Sequence, residues 1–157
     1  MAEHLSLVGE PATLRLGGAL AVGAANGRVL HLKGELGSGK TTLARGMIRA
    51  LGHPGRVKSP TYTLLEPYGH LRLNLYHFDF YRFENRTEWL NSGFRDHFNP
   101  QSLCIVEWPE RTGDLLPPPD LEIHLRYDGE ARSATLAAHS APGEAWLAAT
   151  LSRWRSA

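Results

Sequence analysis

Apolar and polar positions along the chain divide it into segments of helical and strand-like spacing. Pro11, after Glu10, suits the first turn of a helix whose apolar side is Leu14, Leu16, Leu20 and Val22. Gly17 and Gly18 weaken that helix, and Asn26 with Gly27 ends it. Val29 to Leu32 is a short apolar run that predicts a buried strand. The next segment, TTLARGMIRALG, carries Leu43, Met47 and Leu51, or alternatively Ala44, Ile48 and Leu51, at helical spacing, with Gly52 and Pro54 as stop signals. GHPGRVKSP, from Gly52 to Pro60, reads as a surface connection, and Ser59 to Thr61 open a further strand. Thr61 to Leu65 and Leu71 to Phe80 are β-branched, aromatic or alternating; the EPYGH between them predicts a hairpin. Alternation then places Leu71, Leu73, Leu75, His77 and Asp79 on one face.

The second half predicts a short helix near Thr87 to Asn91, turns at Gly93 and Asn99-Pro100, and a strand through Leu103 to Val106 that ends in Glu107. Four consecutive apolar residues there suit a strand covered on both faces. After Pro117 to Pro119, Leu121, Ile123, Leu125 and Tyr127 alternate with polar residues up to Asp128-Gly129, a two-residue hairpin signal. Such a turn pairs Tyr127 with Glu130, so Leu125 faces Arg132, Ile123 faces Ala134 and Leu121 faces Leu136. Leu147, Leu151 and Trp154 predict a packing helix at the carboxyl end. With the phosphate-loop spacing of Gly34, Gly39, Lys40 and Thr41 set between a strand and a helix, the expected fold is α/β, a P-loop NTPase fold: a single domain over residues 1–157 with a central, mostly parallel sheet carrying antiparallel hairpins and flanked by helices.

Composition narrows the function. A chain of 157 residues can bury a sizeable core, and a formal charge of +1 gives no overall attraction to nucleic acid. Any contact with RNA is then expected to run through a partner or a local patch. The single cysteine, Cys104, lies in the apolar run LCIV and reads as a small buried hydrophobe. No stretch is long and apolar enough for a membrane span, so the expected location is the cytoplasm. The histidines are scattered, with no pair at zinc-ligand spacing beside cysteines.

The chemistry concentrates in GELGSGKTT, Gly34 to Thr42. Gly34, Gly39, Lys40 and Thr41 satisfy the phosphate-loop spacing, with a strand before and a helix after. Gly34, Gly37 and Gly39 let the backbone approach phosphates closely, and Ser38 and Thr42 complete the loop. Lys40 adds charge at the β and γ phosphates, Thr41 supplies a hydroxyl to Mg²⁺, and the helix dipole favours the anion. Acids at strand ends beside such a loop hold or orient Mg²⁺, which singles out Asp79 and Glu107. Arg132 points to the apolar side of its hairpin and needs either an anionic ligand or a carboxylate for its donors.

Three further segments, SPTYTL (Ser59 to Leu64), YHFDFYRF (Tyr76 to Phe83) and IVEWPER (Ile105 to Arg111), together with the loop, resemble the motifs of the TsaE family (formerly YjeE). The resemblance spans the first helix to the Arg132 strand. It implies a small ATPase required for making threonylcarbamoyladenosine in tRNA, with ATP and Mg²⁺ as cofactors. Gly37 to Thr42 would hold the phosphates, Thr41 and Glu107 the Mg²⁺, and Asp79 would position or activate water. Ser59 and Thr61 match a switch-like segment, Arg132 matches a basic residue near the nucleotide, and the family's N-terminal residues near the base are expected here at Leu7 and Val8. The resemblance also implies partnership with TsaD and TsaB and, through them, an indirect connection to tRNA. Two departures are Ser38, where alanine is common, and FRDHF after Gly93, which lacks the usual acidic pattern. The alternative is a small-molecule kinase in which Arg82, Arg86 and Arg95 hold an acceptor; a GTPase is disfavoured because no NKxD-like sequence is present.

Overall fold

The computed structural model describes residues 2–156. In chain order these form β1 (Ala2–Leu7), α1 (Gly9–Val22), β2 (Arg28–Lys33), α2 (Lys40–Ala50), β3 (Leu65–Tyr68), β4 (Leu75–Asp79), α3 (Arg86–Ser92), β5 (Leu103–Glu107), β6 (Leu121–Asp128), β7 (Ala131–Ala138) and α4 (Ala141–Ser156). The sheet has seven strands in the order β1-β7-β6-β2-β5-β4-β3. Its centre, β6-β2-β5-β4, is parallel, and antiparallel partners flank it: β7 and β1 on one side, β3 on the other. This is the mostly parallel α/β sheet that the order of elements predicts.

The two faces of the sheet bury different side chains. Leu30, Leu32, Ile105, Ile123 and Leu136 meet Leu16 and Leu20 of α1, Leu43 and Met47 of α2, and Leu147 and Leu151 of α4. On the opposite face Phe78, Phe80, Cys104 and Val106 form a second cluster with Trp89 and Phe94. Cys104 is fully buried and its thiol is pushed up to about 12 by that burial, which agrees with its reading as a small core residue.

Four segments differ from the sequence reading. β1 is not announced by its own residues: AEHLSL offers only two apolar alternations, and it is held as an edge strand by β7, far away in sequence. The hairpin before Asp79 lies later than expected, because Thr61 to Thr63 form a turn and β3 starts at Leu65. Pro67 sits inside β3, where an edge strand tolerates the missing N–H. α1 also stops earlier, at Val22.

The β6–β7 turn is the fourth difference. Asp128 pairs with Ala131, so the two loop residues are Gly129 and Glu130, with Gly129 at φ 65°. The register is therefore shifted by two residues: Arg132 faces Tyr127, Ala134 faces Leu125 and Leu136 faces Ile123. A shift of two preserves the side-chain face, so Arg132 still points to the expected side.

Glycines explain how α1 and α2 come together. A Cβ on Gly17 would overlap the Leu43 carbonyl oxygen and lie 2.8 Å from the Met47 nitrogen. A Cβ on Gly46 would similarly meet the Leu14 carbonyl. The helices thus touch backbone to backbone, whereas a Cβ on Gly18 would meet nothing within 4 Å. Gly17→Ala is expected to destabilise the protein by about 1–3 kcal/mol through overpacking. Gly18→Ala should stabilise it by up to about 1 kcal/mol through helix propensity. Paired denaturant melts check this, and equal shifts in both variants would contradict the close contact.

Candidate functional site

The phosphate loop joins the carboxyl end of β2 to α2, the place where open parallel sheets present their ligand crevice. Gly37 and Gly39 have φ of 79° and 108°, values that a side chain would oppose. A Cβ on Gly37 would also lie 2.8 Å from the Tyr127 hydroxyl. Lys40 Nζ donates to the carbonyls of Gly34 at 2.6 Å and Glu35 at 3.0 Å, and lies 4.2 Å from the centre of the Trp108 ring. Burial lowers the pKa of Lys40, against the opposing pull of Glu107, Asp79 and Glu110. Trp108 itself has φ 58°, a left-handed conformation that non-glycine residues adopt at a cost.

The two acids arrive on neighbouring strands. Asp79 ends β4, Glu107 ends β5, and they are level in the β4–β5 register. Thr41, in the first turn of α2, donates its hydroxyl to both Glu107 oxygens, at 3.0 and 3.1 Å. His77 Nε2 lies 2.7 Å from Glu107 Oε2, with both side chains buried. Asp79 Oδ1 accepts the Tyr81 N–H at 2.9 Å, and its Oδ2 accepts the Thr61 hydroxyl at 3.3 Å. Thr61 Oγ1 is in turn 2.7 Å from Ser59 Oγ. Burial raises the pKa of Asp79, and the Glu107 charge adds to that, while the Tyr81 N–H, His77 and Thr61 oppose it.

Lys40, Thr41, Thr42, Thr61, Asp79, Tyr81, Glu107 and the loop line one cavity of about 210 Å³. A second cavity of about 310 Å³ lies across the loop, between the start of α1 (Gly9, Glu10, Thr13) and Arg132. Thr42, Gly37 and Gly39 border both. Arg132 donates to the Gly37 carbonyl at 3.3 Å and stacks 4.2 Å over the Tyr127 ring, whose hydroxyl donates to the Leu36 carbonyl at 3.2 Å. The tip of the β6–β7 hairpin therefore holds the phosphate loop from outside.

Most residues singled out in the sequence converge here: Gly37, Gly39, Lys40, Thr41, Thr42, Thr61, Asp79 and Glu107 in one cavity, Arg132 in the other. Gly34 contributes its carbonyl to Lys40, and Ser38 lines the second cavity with its hydroxyl buried and unpartnered by protein. Leu7 is wholly buried in the main core, away from both cavities, while Val8 is 79% exposed next to Gly9. Arg82 stacks on Tyr62 and Arg86 pairs with Asp114, and neither they nor Arg95 lines the Lys40 cavity. The sequence alone assigns no role to His77, Trp108 or Tyr127, although His77 and Trp108 lie inside the YHFDFYRF and IVEWPER segments. Trp108 lines the Lys40 cavity, His77 touches Glu107 and Tyr127 touches the phosphate loop; only the even spacing of His77 from Asp79 signals the right face in advance.

The two carboxylates and the threonine hydroxyl form a hard oxygen donor set suited to Mg²⁺. Among the described residues no helix is long and apolar enough to cross a membrane. The family model for the threonylcarbamoyl adenosine biosynthesis protein TsaE matches residues 7–134. The tRNA threonylcarbamoyladenosine biosynthesis protein TsaE of Haemophilus influenzae is 44% identical over 116 residues, covering 74% of this chain and 73% of that protein. Its Bacillus subtilis counterpart is 40% identical over 104 residues, 66% of this chain and 65% of that one. The crystal structure of Bacillus subtilis YdiB superposes with a TM-score of 0.80 at 29% identity, covering 97% of this chain and 95% of that one. With a phosphate loop, two strand-end acids and a family match running from the end of β1 into β7, this chain belongs to the TsaE family of tRNA threonylcarbamoyladenosine biosynthesis.

Proposed function

We propose that the protein is a Mg²⁺-dependent ATPase that supports tRNA threonylcarbamoylation together with the TsaB–TsaD pair. The observation that carries this reading is the grouping of Lys40, Thr41, Asp79 and Glu107 around one cavity at the mouth of the phosphate loop. The triphosphate would lie along the loop N–H groups at the start of α2, where the helix dipole favours anions. Lys40 would exchange its loop carbonyls for phosphate oxygens. Thr41 and Glu107 would hold the Mg²⁺, which when bound offsets charge on the β and γ phosphates. Asp79, with one oxygen fixed by the Tyr81 N–H, is positioned to orient water and accept its proton. Its raised pKa brings it closer to the range in which a base works well. Thr61 links Asp79 to the Ser59 segment, so the state of the γ-phosphate could be passed to that exposed loop.

The second cavity suits the rest of the nucleotide, between the start of α1 and Arg132. Val8, exposed and next in the chain to Gly9 of that cavity, remains a candidate for the base side; Leu7 does not, because the core holds it. The kinase alternative has no supporting observation, since Arg82, Arg86 and Arg95 do not line the Lys40 cavity.

Lys40→Ala is expected to weaken ATP binding at least about tenfold, the 1.4 kcal/mol scale of one charged contact, with the fold intact. Calorimetry checks this, and unchanged affinity would remove Lys40 from the phosphate site.

Asp79→Asn should separate catalysis from stability. Turnover is expected to fall about a hundredfold, or 2.7 kcal/mol. Because the folded state raises the pKa of Asp79, ionising it costs stability as pH rises through that value. The asparagine variant should therefore melt at or above the wild-type temperature near neutral pH, with the advantage vanishing as pH falls and Asp79 protonates. Wild-type turnover in the variant would exclude the catalytic role.

Hydrolysis by the isolated protein should be slow and should rise when TsaB and TsaD are added. Arg132 is tied to the Gly37 carbonyl and the Tyr127 ring, and a docked partner could reorient it or order the Ser59 to Thr61 segment. ATP turnover with and without the purified pair, at fixed Mg²⁺, tests this. Absence of both stimulation and complex formation would exclude the partnership.

A further inference from the structure

Glu107 is held by a second side chain that the proposed chemistry does not use. His77 lies two residues before Asp79 on β4, level with Ile105 of β5, and its ring is wholly buried. Its Nε2 is 2.7 Å from Glu107 Oε2, while its Nδ1 is buried with no protein hydrogen-bond partner among the described residues. The sheet around it is otherwise filled by Leu75, Leu103 and Ile105, so an apolar residue would serve packing without leaving a buried nitrogen unpartnered. Among the described residues, the bond to Glu107 is the one polar contact that accounts for an imidazole here.

We propose that His77 is a positioning residue: it donates its Nε2–H to Glu107 Oε2 and so fixes the carboxylate in the orientation that faces Thr41 and the Mg²⁺ site. The tautomer follows from the contacts. A proton on Nδ1 would be a buried donor with no acceptor and would turn the Nε2 lone pair against a carboxylate oxygen. With the proton on Nε2, one oxygen of Glu107 is pinned. Oε1, contacted at 3.0 Å by the Thr41 hydroxyl, keeps its direction toward the first turn of α2. Without His77, only the single Thr41 hydroxyl shared between its oxygens would restrain the carboxylate's last torsion, and the hydroxyl and carboxylate would present a cation with a more variable pair of donors. Outer partners of this kind alter metal affinity by about 10- to 100-fold when removed.

This inference rests on the reading of Thr41 and Glu107 as the Mg²⁺ ligands, and two measurements keep them apart. The first is calorimetric titration of Mg²⁺ into the full chain saturated with a non-hydrolysable ATP analogue, for wild type, His77→Phe and His77→Gln. The glutamine variant retains an N–H near the Nε2 position. His77→Phe should raise the Mg²⁺ Kd about 10- to 100-fold with metal-free nucleotide affinity unchanged, and His77→Gln should recover most of the loss. Equal Mg²⁺ affinity in His77→Phe and wild type would overturn the inference, whereas a wild type that binds no Mg²⁺ would overturn the metal reading itself. The second is histidine-ring ¹⁵N NMR of the wild-type protein, which stands even where a variant does not fold. A proton on Nε2 of His77 is expected, and a proton found on Nδ1 alone would overturn the inference.

Discussion

Two backbone registers carry the whole site. β2 and β5 pair so that Leu32 is level with Glu107, and β5 and β4 pair so that Glu107 is level with Asp79. The phosphate loop leaves β2 after Lys33, the residue that follows Leu32, so both acids end beside it on the face that carries α2. Side chains alternate along a strand, and a slip of one residue would turn Glu107 and Asp79 to the opposite face, toward Trp89 and Phe94. Apolar burial on both sides prevents that slip: Leu103 and Ile105 face the helices, and Cys104 and Val106 face the aromatic cluster. A fully covered central strand thus gives two isolated carboxylates a defined place.

That placement works against local stability at several points. Lys40 is partly desolvated and its charge disfavoured, Asp79 is buried enough to resist ionisation, and Trp108 bends through a left-handed conformation. The His77 ring leaves one nitrogen unpartnered. Surrounding structure offsets these costs. The glycine contact between α1 and α2 lets the helix that bears Lys40 and Thr41 lie close to its neighbour, and Tyr127 with Arg132 braces the loop from the far side. Strained and desolvated groups gathered close together and supported by surrounding packing are a common mark of a functional site.

The hairpin that holds the loop shows where sequence reasoning becomes ambiguous. Asp128-Gly129 and Gly129-Glu130 are both plausible two-residue turns, and they differ by two residues in register. The face of Arg132 was legible because a shift of two preserves alternation. Its neighbour was not, and the neighbour decides its contacts: opposite Tyr127, at the hairpin tip, it meets the phosphate loop. Leu7 failed as a base-side candidate for a related reason. It ends a strand that the local pattern hardly announces, and pairing with distant β7 turns it into the core.

By itself the sequence determined what is local in the chain. Gly34 to Thr42 are consecutive, and a loop that wraps phosphate with its own N–H groups needs no distant residue to be recognised. β2, α2, β5 and α4 were legible because their apolar spacing reflects a face buried in any compact fold. Asp79 was marked as a strand-end acid by alternation along its strand, and Glu107 by the unbroken apolar run that precedes it. Only the tertiary structure decided that these two acids are level with each other, that Thr41 and His77 meet on Glu107, and that Arg132 and Tyr127 hold the loop. Those contacts join residues separated by tens of positions, and their geometry depends on strand register and sheet order. Register is set by packing across both faces of the sheet, a property that no single segment carries.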